Sequence, residues 1–190
     1  MKQSPRRPLG ITTVFFMILS FIIAICGCQK NKNVSPQTLS MNTAIEQQSQ
    51  YVFDTQKLKR YRFPTHINDL IIDRAQSSNS EVFMVVLEPD HAPPFHKHDD
   101  TEQIFYVIEG TGILTIGDKK DQFTVKPGDV VRIPVSTYHS IRSDKEKTLR
   151  YLCVDCFGGK PIAERTWDDH VKAQCSANGW DYSKVVSESK

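Results

Sequence analysis

The feature that most constrains this chain is a repeated pattern of short apolar runs between residues 70 and 154. The runs are rich in β-branched and aromatic residues, and turn signals such as Glu109-Gly110 and Pro127-Gly128 separate them. Strands are predicted at residues 70–72, 82–87, 104–108, 112–116, 123–125, 130–133, 140–142 and 149–154. Short strands at this spacing predict an all-β fold, in which antiparallel strands form a barrel or a sandwich.

One helical segment is expected after the strands, around residues 167–173. Thr166 can cap its first turn, and Asp168 and Asp169 lie in that turn, where negative charge is favoured by the helix dipole. We therefore predict a β-barrel over residues 51–160 and a C-terminal extension over residues 161–190 that packs on it.

The charge balance argues against a nucleic-acid partner. The 190 residues include 24 Lys or Arg and 22 Asp or Glu, which gives a formal net charge of +2. Nucleic-acid-binding domains usually carry a strongly basic surface, and so small an excess does not indicate one. A small-molecule ligand or substrate is the expected partner.

The first 28 residues differ in kind from the rest. Lys2, Arg6 and Arg7 precede an uncharged stretch at residues 9–25 that is rich in Phe, Ile and Leu. A basic start and an apolar run are typical of a secretory signal peptide, and the run is also just long enough to span a bilayer. Residues 1–27 are predicted to be a signal peptide or a membrane anchor, and the polar residues 28–50 a flexible linker.

The end of the apolar stretch, Ile25-Cys26-Gly27-Cys28, resembles the lipobox of bacterial lipoproteins. This resemblance implies that Cys28 is lipidated and becomes the mature N-terminus. The domain would then be held on a membrane tether at the periplasmic or extracellular face.

Histidines are concentrated in two segments of the predicted barrel. His96 and His98 are separated by one residue, so on an extended segment their side chains point the same way. His139 ends the second segment, which begins with the turn Pro127-Gly128. Because neutral imidazoles are common ligands of transition metals, His96 and His98 can converge on one ion, and His139 is a further candidate.

Together the two segments resemble the two motifs of the cupin superfamily. In the first motif, His-x-His is followed by an acid or an amide and, after the next strand, by Gly110; in the second, a Pro-Gly-Asp turn precedes a later histidine. The resemblance covers about residues 61–157. It implies a jelly-roll β-barrel with His96, His98 and His139 as metal ligands on the inner face.

The fourth ligand is a choice between two neighbouring residues. Counted back from Gly110, the position of the family's usual glutamate is Gln103, and Glu102 precedes it. The two side chains point to opposite faces of a regular strand. The spacing favours Gln103, whereas a bulge beside the histidines could rotate Glu102 into place. Three imidazoles and an amide leave the charge of the ion uncompensated, so an anionic ligand is expected at the open position.

Other residues receive a structural interpretation. Four are candidates for the pocket lining, although a structural role explains each of them as well: Tyr106, Arg132, Tyr138 and Arg142. Three histidines lie outside both motifs and are expected to be solvated or hydrogen-bonded in the core: His66, His91 and His170.

Three cysteines, Cys153, Cys156 and Cys175, follow the N-terminal segment. Cys153 and Cys156 are three residues apart and face opposite ways on a regular strand, so a bridge between them would need a break in that strand. A compartment outside the cytoplasm favours disulfides. We expect one of the two to bond to Cys175 and to hold the C-terminal segment on the barrel.

Three functions are compatible with this sequence. The chain is a metal-dependent enzyme such as a dioxygenase or an isomerase of a small organic substrate, a non-catalytic lipoprotein that binds a sugar-like or anionic ligand, or a protein that handles the metal itself. The expected metal is iron, manganese, nickel, copper or zinc. We favour the enzyme because an open metal site on three histidines is reactive. The resemblance to cupins, which often pair through sheet edges, is also compatible with a homodimer.

Overall fold

The structure, a computed structural model, describes residues 51–160 and 163–186. The predicted signal peptide or anchor, the linker at residues 28–50 and the lipidation site Cys28 lie outside the described residues. No helix within the described ranges is long and apolar enough to span a membrane.

Nine strands and two helices form within the described residues. The strands are β1 (Lys59–Arg62), β2 (Ile67–Ile72), β3 (Ser80–Leu87), β4 (Thr101–Glu109), β5 (Gly112–Ile116), β6 (Asp121–Val125), β7 (Val130–Ile133), β8 (His139–Ser143) and β9 (Leu149–Phe157). The helices are α1 (Trp167–Asn178) and α2 (Tyr182–Val185). The eight predicted strands correspond to β2–β9. Strand β1 escapes prediction because Tyr61 is its only apolar residue.

The strands form two antiparallel sheets that enclose one core. The larger sheet has the order β1-β2-β3-β9-β4-β7 and the smaller one the order β6-β5-β8. Both sheets contribute to the same buried cluster, Phe105 and Val107 from the larger sheet and Leu114 and Ile141 from the smaller. The predicted all-β, antiparallel β-barrel is therefore confirmed.

The strand register brings buried polar residues together. Every second residue of β9 is buried, as expected for a strand with one face inside the barrel. On three neighbouring strands, Glu81, Asp155 and Gln103 are direct cross-strand partners. All three are buried, so they form a polar row within an otherwise apolar wall.

Glycines fill two turns where another residue would be strained. Gly110 follows β4 with φ +77, and a Cβ atom there would lie 2.0 Å from the carbonyl oxygen of Thr148. Gly128 has φ +91, and the N–H of Asp129 donates to the carbonyl of Lys126 at 3.1 Å to close the predicted turn.

The C-terminal helix starts where the sequence indicates. The Thr166 hydroxyl accepts a hydrogen bond from the N–H of Asp169 at 3.1 Å, which confirms the expected N-cap. The helix continues past residue 173 and ends at Gly179, which adopts the left-handed conformation. Trp167 is buried, and its ring lies 4.5 Å from that of Phe83, so α1 packs directly on β3.

The expected disulfide is wrong, because all three cysteines in the described residues are free thiols. Cys153 faces the interior, and its thiol donates to Oδ1 of Asp155 at 3.2 Å. Cys156 faces the opposite way, as the alternation along the strand predicts. Cys175 is buried on α1 and does not line the interior cavity on which Cys153 lies.

Without a disulfide, polar contacts and aromatic packing hold the C-terminal segment on the barrel. Oδ1 of Asp73 accepts a hydrogen bond from the N–H of Trp167 at 3.0 Å. Nη1 of Arg74 donates to the carbonyl of Glu164 at 3.3 Å. These contacts tie the start of α1 to the segment between β2 and β3.

Candidate metal centre

Three histidines meet inside the barrel. His96 and His98 precede β4, and His139 is the first residue of β8. Their ligating nitrogens all lie within 4.8 Å of one another, and Nε2 of His96 is 3.1 Å from Nε2 of His98. Ligands that are each about 2.1 Å from one metal lie at most about 4.2 Å apart, so only small shifts of the rings are needed for a common ion. The three imidazoles can therefore share one ion.

Backbone pairing explains why two distant segments converge. The N–H of His96 donates to the carbonyl of His139 at 3.1 Å, and the N–H of His139 donates to the carbonyl of His96 at 2.7 Å. The N–H of Ser136 donates to the carbonyl of His98 at 2.7 Å. The two motifs thus form an isolated antiparallel bridge that sets the positions of all three rings.

Hydrogen bonds to the backbone decide which ring nitrogen is free. Nδ1 of His96 lies 2.7 Å from the carbonyl of Pro94, and Nδ1 of His139 lies 3.0 Å from the carbonyl of Thr137. A carbonyl only accepts, so the proton resides on Nδ1 in both rings. Each Nε2 is left with a lone pair for a metal.

Burial keeps the three imidazoles neutral. It lowers the pKa of His96, and it lowers the pKa of His98 to about 3 with a further contribution from His96. Burial, followed by the charge of His96, also lowers the pKa of His139 to about 4. At neutral pH all three rings are in the form that binds a metal.

Gln103, rather than Glu102, shares the cavity with the histidines. Gln103 is 5% exposed, and its Nε2 donates to Oδ1 of Asp155 at 2.8 Å. Glu102 lies on the outer side of β4 in an ion pair with Arg132. The pairing of β4 with β9 is regular from Thr101 to Val107, so no bulge beside the histidines turns Glu102 inward.

The amide orientation leaves one free oxygen on Gln103. Because a carboxylate only accepts, the amide directs its NH₂ group to Asp155 and its Oε1 away from it. This buried Oε1 has no hydrogen-bond partner in the protein. Three neutral imidazoles beside an unpartnered amide oxygen fit a divalent transition metal.

Behind Gln103 lies a buried ionic cluster. Nε and Nη2 of Arg74 donate to the two carboxylate oxygens of Glu81 at 2.6 and 2.7 Å. Burial raises the pKa of both Glu81 and Asp155. The guanidinium of Arg74 compensates negative charge within the cluster. The cluster holds Asp155, which in turn orients Gln103.

The histidines line a cavity of about 430 Å³. Strands of both sheets contribute to its wall, for example Phe105 from the larger sheet and Ile141 from the smaller. Helix α1 contributes as well, through Trp167, His170 and Gln174. Their spacing of three and then four residues places them on one face of the helix.

Comparison with known proteins shows which fold the barrel has. Residues 83–155 match the family described as the cupin domain. A polyketide cyclase from Streptomyces resistomycificus superposes with a TM-score of 0.50 and 24% identity, over 57% of this chain and 80% of that one. A predicted oxalate decarboxylase from Thermotoga maritima superposes with a TM-score of 0.50 and 18% identity, over 56% of this chain and 98% of that one. The barrel has the cupin fold. At these identities the two structures show the fold alone.

Curated relatives match this chain over short stretches. An uncharacterized protein of Methanocaldococcus jannaschii is 41% identical over 58 residues, 30% of this chain and 45% of that protein. Acireductone dioxygenase 1 of Physcomitrium patens is 32% identical over 81 residues, 40% of each chain. Human acireductone dioxygenase is 31% identical over 84 residues, 42% of this chain and 45% of the relative. The chain thus spans less than half the length of these relatives.

Some expectations about the pocket lining need correction. None of the four candidates for the pocket lining lines the cavity, which favours the structural role that was also given for each: Tyr106, Arg132, Tyr138 and Arg142. Among the other histidines, His66 and His170 do line it, and burial lowers the pKa of each to about 3. His91 does not line the cavity.

Sequence reasoning missed the buried polar residues that surround the ligands. Glu81 and Asp155 are charged residues at inward positions of apolar strands, a signal that the alternation itself carries. The helical spacing of Trp167, His170 and Gln174 was a second available signal. No sequence pattern marks Asn68, which also lines the cavity.

Proposed function

We propose that this cupin domain binds one divalent transition metal and acts as an enzyme, a dioxygenase or an isomerase, on a small organic substrate. The proposed ligands are His96, His98, His139 and Gln103. The observation that carries the proposal is the meeting of three imidazoles, with their nitrogens within 4.8 Å, in a cavity that also contains the unpartnered amide oxygen of Gln103.

The donor set indicates which chemistry is available. A metal held by three nitrogens and one oxygen with an open position can polarise a substrate oxygen or react with dioxygen. Such a site suits iron, manganese, nickel, copper or zinc, whereas magnesium and calcium prefer oxygen ligands. Because all four ligands are neutral, an anionic substrate oxygen, such as a carboxylate or an enolate, is favoured at the open position.

The protein's own contribution is to position the ligands and to limit water. The carbonyls of Pro94 and Thr137 hold two imidazoles with Nε2 free. Phe105 packs against Tyr151, with ring centroids 4.8 Å apart, and lies 6.2 Å from the ring of His139. This apolar packing beside the imidazoles lowers the local dielectric and strengthens the attraction between a bound cation and an anionic substrate.

The names of the relatives support oxygen chemistry as the first reaction to test. Two of the relatives described above are acireductone dioxygenases, and this chain resembles them over the cupin domain. An acireductone is therefore the first test substrate.

Metal content tests the proposed site. The full chain is purified in detergent without chelator or affinity-tag metal and analysed by inductively coupled plasma mass spectrometry. We expect about one transition metal per chain, lost in His96→Ala and His139→Ala and retained in His91→Ala, because His91 lies outside the cavity. A folded chain that takes up none of the five metals when they are added would contradict the proposal.

Oxygen uptake separates the enzyme from a binding protein. We expect the metal-loaded chain to consume oxygen when the acireductone is added, and the His139→Ala variant to consume none. An isomerase would convert the substrate without uptake. Stoichiometric metal with no conversion of any kind would support the non-catalytic, ligand-binding lipoprotein instead.

We also propose that Cys28 is lipidated and holds the domain on a membrane outside the cytoplasm. The basic residues before the apolar stretch and the lipobox-like sequence that ends in Cys28 support this proposal. Cells grown with an alkyne-labelled palmitate should label the wild-type chain and Cys26→Ala but not Cys28→Ala. Equal labelling of the Cys28→Ala variant would contradict the tether.

A further inference from the structure

Helix α1 gives the cavity a wall that the proposed metal site does not use. Trp167, His170 and Gln174 of α1 line the cavity, together with Asn68 of β2. We call these four residues the helical wall. None of them belongs to the motifs that contain the histidine ligands.

Unpartnered polar atoms are concentrated in this one cavity. Within the described residues, four buried side-chain atoms have no hydrogen-bond partner in the protein: Oδ1 of Asn68, Oε1 of Gln103, Nε1 of Trp167 and Oε1 of Gln174. All four residues line the cavity. Buried polar groups are normally paired, so such a cluster indicates a place where a ligand completes the hydrogen bonds. With Gln103 assigned to the metal, three atoms of the helical wall remain.

Packing holds two of these three side chains, Asn68 and Trp167, in the wall of the cavity. Asn68 is 4% exposed and lies opposite Val85 in the regular pairing of β2 with β3. Trp167 is 1% exposed, and its ring is wedged between those of Tyr61 and Phe83, with centroids 6.1 and 4.5 Å away. Neither side chain can turn to solvent to satisfy its polar atom.

The helical wall offers a ligand uncharged hydrogen-bonding groups. Burial keeps the pKa of His170 at about 3, so its ring is uncharged at neutral pH. Arg74 also lines the cavity, but its guanidinium is engaged by both carboxylate oxygens of Glu81 and by the carbonyl of Glu164. Lys97, which lines the cavity too, is paired with Asp99. Among the described residues that line the cavity, an anionic group would thus find both of these cations already engaged.

We infer that the helical wall is a recognition site for a neutral, hydroxyl-bearing part of the substrate. A hydroxyl can donate to Oδ1 of Asn68 or Oε1 of Gln174 and can accept from the N–H of Trp167, and two hydroxyls satisfy all three atoms. The inference deepens the proposed function, in which an anionic oxygen of the same molecule binds at the metal. The recognition site itself needs no metal.

Small alcohols test the recognition site directly. The probes are 1,2-propanediol, 1-propanol and inorganic phosphate, titrated into the isotope-labelled full chain in detergent, with and without metal. Nuclear magnetic resonance follows the indole N–H of Trp167 and the side-chain amides of Asn68 and Gln174. We expect the diol to shift all three signals and to bind severalfold more tightly than 1-propanol, while phosphate leaves them unchanged.

Matched variants show whether the hydrogen bonds matter. Gln174→Met keeps the length of the side chain and removes its amide, and it should weaken diol binding about fivefold. Gln122→Met, at an exposed position of β6, should leave diol binding unchanged.

Three results would overturn the inference: no shift with the diol, equal binding of 1-propanol, or unchanged diol affinity in Gln174→Met. Its failure is distinguishable from failure of the proposed function. A chain that binds the diol but no metal retains the recognition site and loses the metal proposal. A chain that binds metal, but whose three signals the diol does not shift, shows the reverse.

Discussion

The cavity has two walls that contain similar residues but are built in different ways. The histidine wall consists of His96, His98, Gln103 and His139, and the helical wall is the one defined above. In the histidine wall, the carbonyls of Pro94 and Thr137 engage Nδ1 of His96 and of His139, and Asp155 engages the amide NH₂ of Gln103. Nε2 of these two rings and Oε1 of Gln103 therefore remain for a metal. In the helical wall, buried polar atoms of the lining side chains have no partner, and no hydrogen bond to the protein directs them.

The two walls therefore depend on different contacts. Backbone pairing between the two motifs holds the histidine wall, and a metal needs its ligands in that fixed geometry. The helical wall depends on the packing of one helix, chiefly through Trp167. Changes in the first wall should affect metal binding, and changes in the second should affect stability and ligand choice.

The largest effect is expected when the anchor of the helical wall is removed. Trp167→Ala should lower the free energy of unfolding by about 3–5 kcal/mol, because a large buried ring leaves a cavity. Urea denaturation measures this, with Val130→Ala, at a position 67% exposed, as the control. Trp167→Ala protein that remains folded should bind as much metal per chain as the wild type. Loss of metal from folded Trp167→Ala would show that the two walls are not independent.

Acid should destabilise both walls of the metal-free chain. Burial lowers the pKa of His98 and His170 to about 3 and that of His139 to about 4, whereas an unfolded histidine titrates near 6.5. Below pH 6.5 the unfolded chain therefore binds more protons than the folded one, and stability falls as the pH decreases toward 4. Each histidine contributes up to about 1.4 kcal/mol per pH unit.

Urea denaturation at pH 7.5, 6.5 and 5.5 measures this dependence. His170→Phe should reduce the pH dependence of stability by about the contribution of one histidine. His139→Phe, in the histidine wall, should reduce it by a similar amount. If the pH dependence is the same in the wild type, in His170→Phe and in His139→Phe, the two histidines are not buried in neutral form.

The choice between Gln103 and Glu102 is tested by two substitutions. Gln103→Leu should weaken metal binding about tenfold, since it removes the amide oxygen from the histidine wall. Glu102→Gln should leave the affinity unchanged, because Glu102 pairs with Arg132 on the outer face. Competition with a chelator measures both affinities, and the opposite order would restore Glu102 as the ligand.

The smallest effect is expected at the N-terminus of helix α1. Thr166→Ala removes the N-cap of α1 and should cost about 1 kcal/mol of stability. Ser176→Ala, at an exposed position of the same helix, is the control and should change stability little. Metal binding should be the same in both variants. An unchanged unfolding curve for Thr166→Ala would mean that packing alone holds the helix.

Local patterns were enough for the strands of the barrel and for the pair His96 and His98. Alternation and turn signals placed eight strands, and the spacing of His96 and His98 put both on one side of an extended segment. The Thr166 cap was also readable, because capping depends on a few adjacent residues. These features arise from neighbours in the chain, so a sequence displays them.

Long-range contacts decided which other side chains share the cavity with the histidines. Both faces of β4 are apolar, so only the pairing with β9 and the contact with Asp155 turn Gln103 inward and leave Glu102 with Arg132. The free cysteines follow from long-range packing too, since Cys153 lines the cavity and Cys175 does not.

The sequence by itself determined an antiparallel barrel with a cluster of histidines, because strand alternation and motif spacing are local. Only the tertiary structure decided what else the cavity contains. Asn68 and Gln174 are far apart in the chain and carry no shared pattern, yet the packing of α1 on the barrel makes both line one cavity. Residues meet there because apolar faces are buried together, and the polar atoms that accompany them define what the cavity can bind.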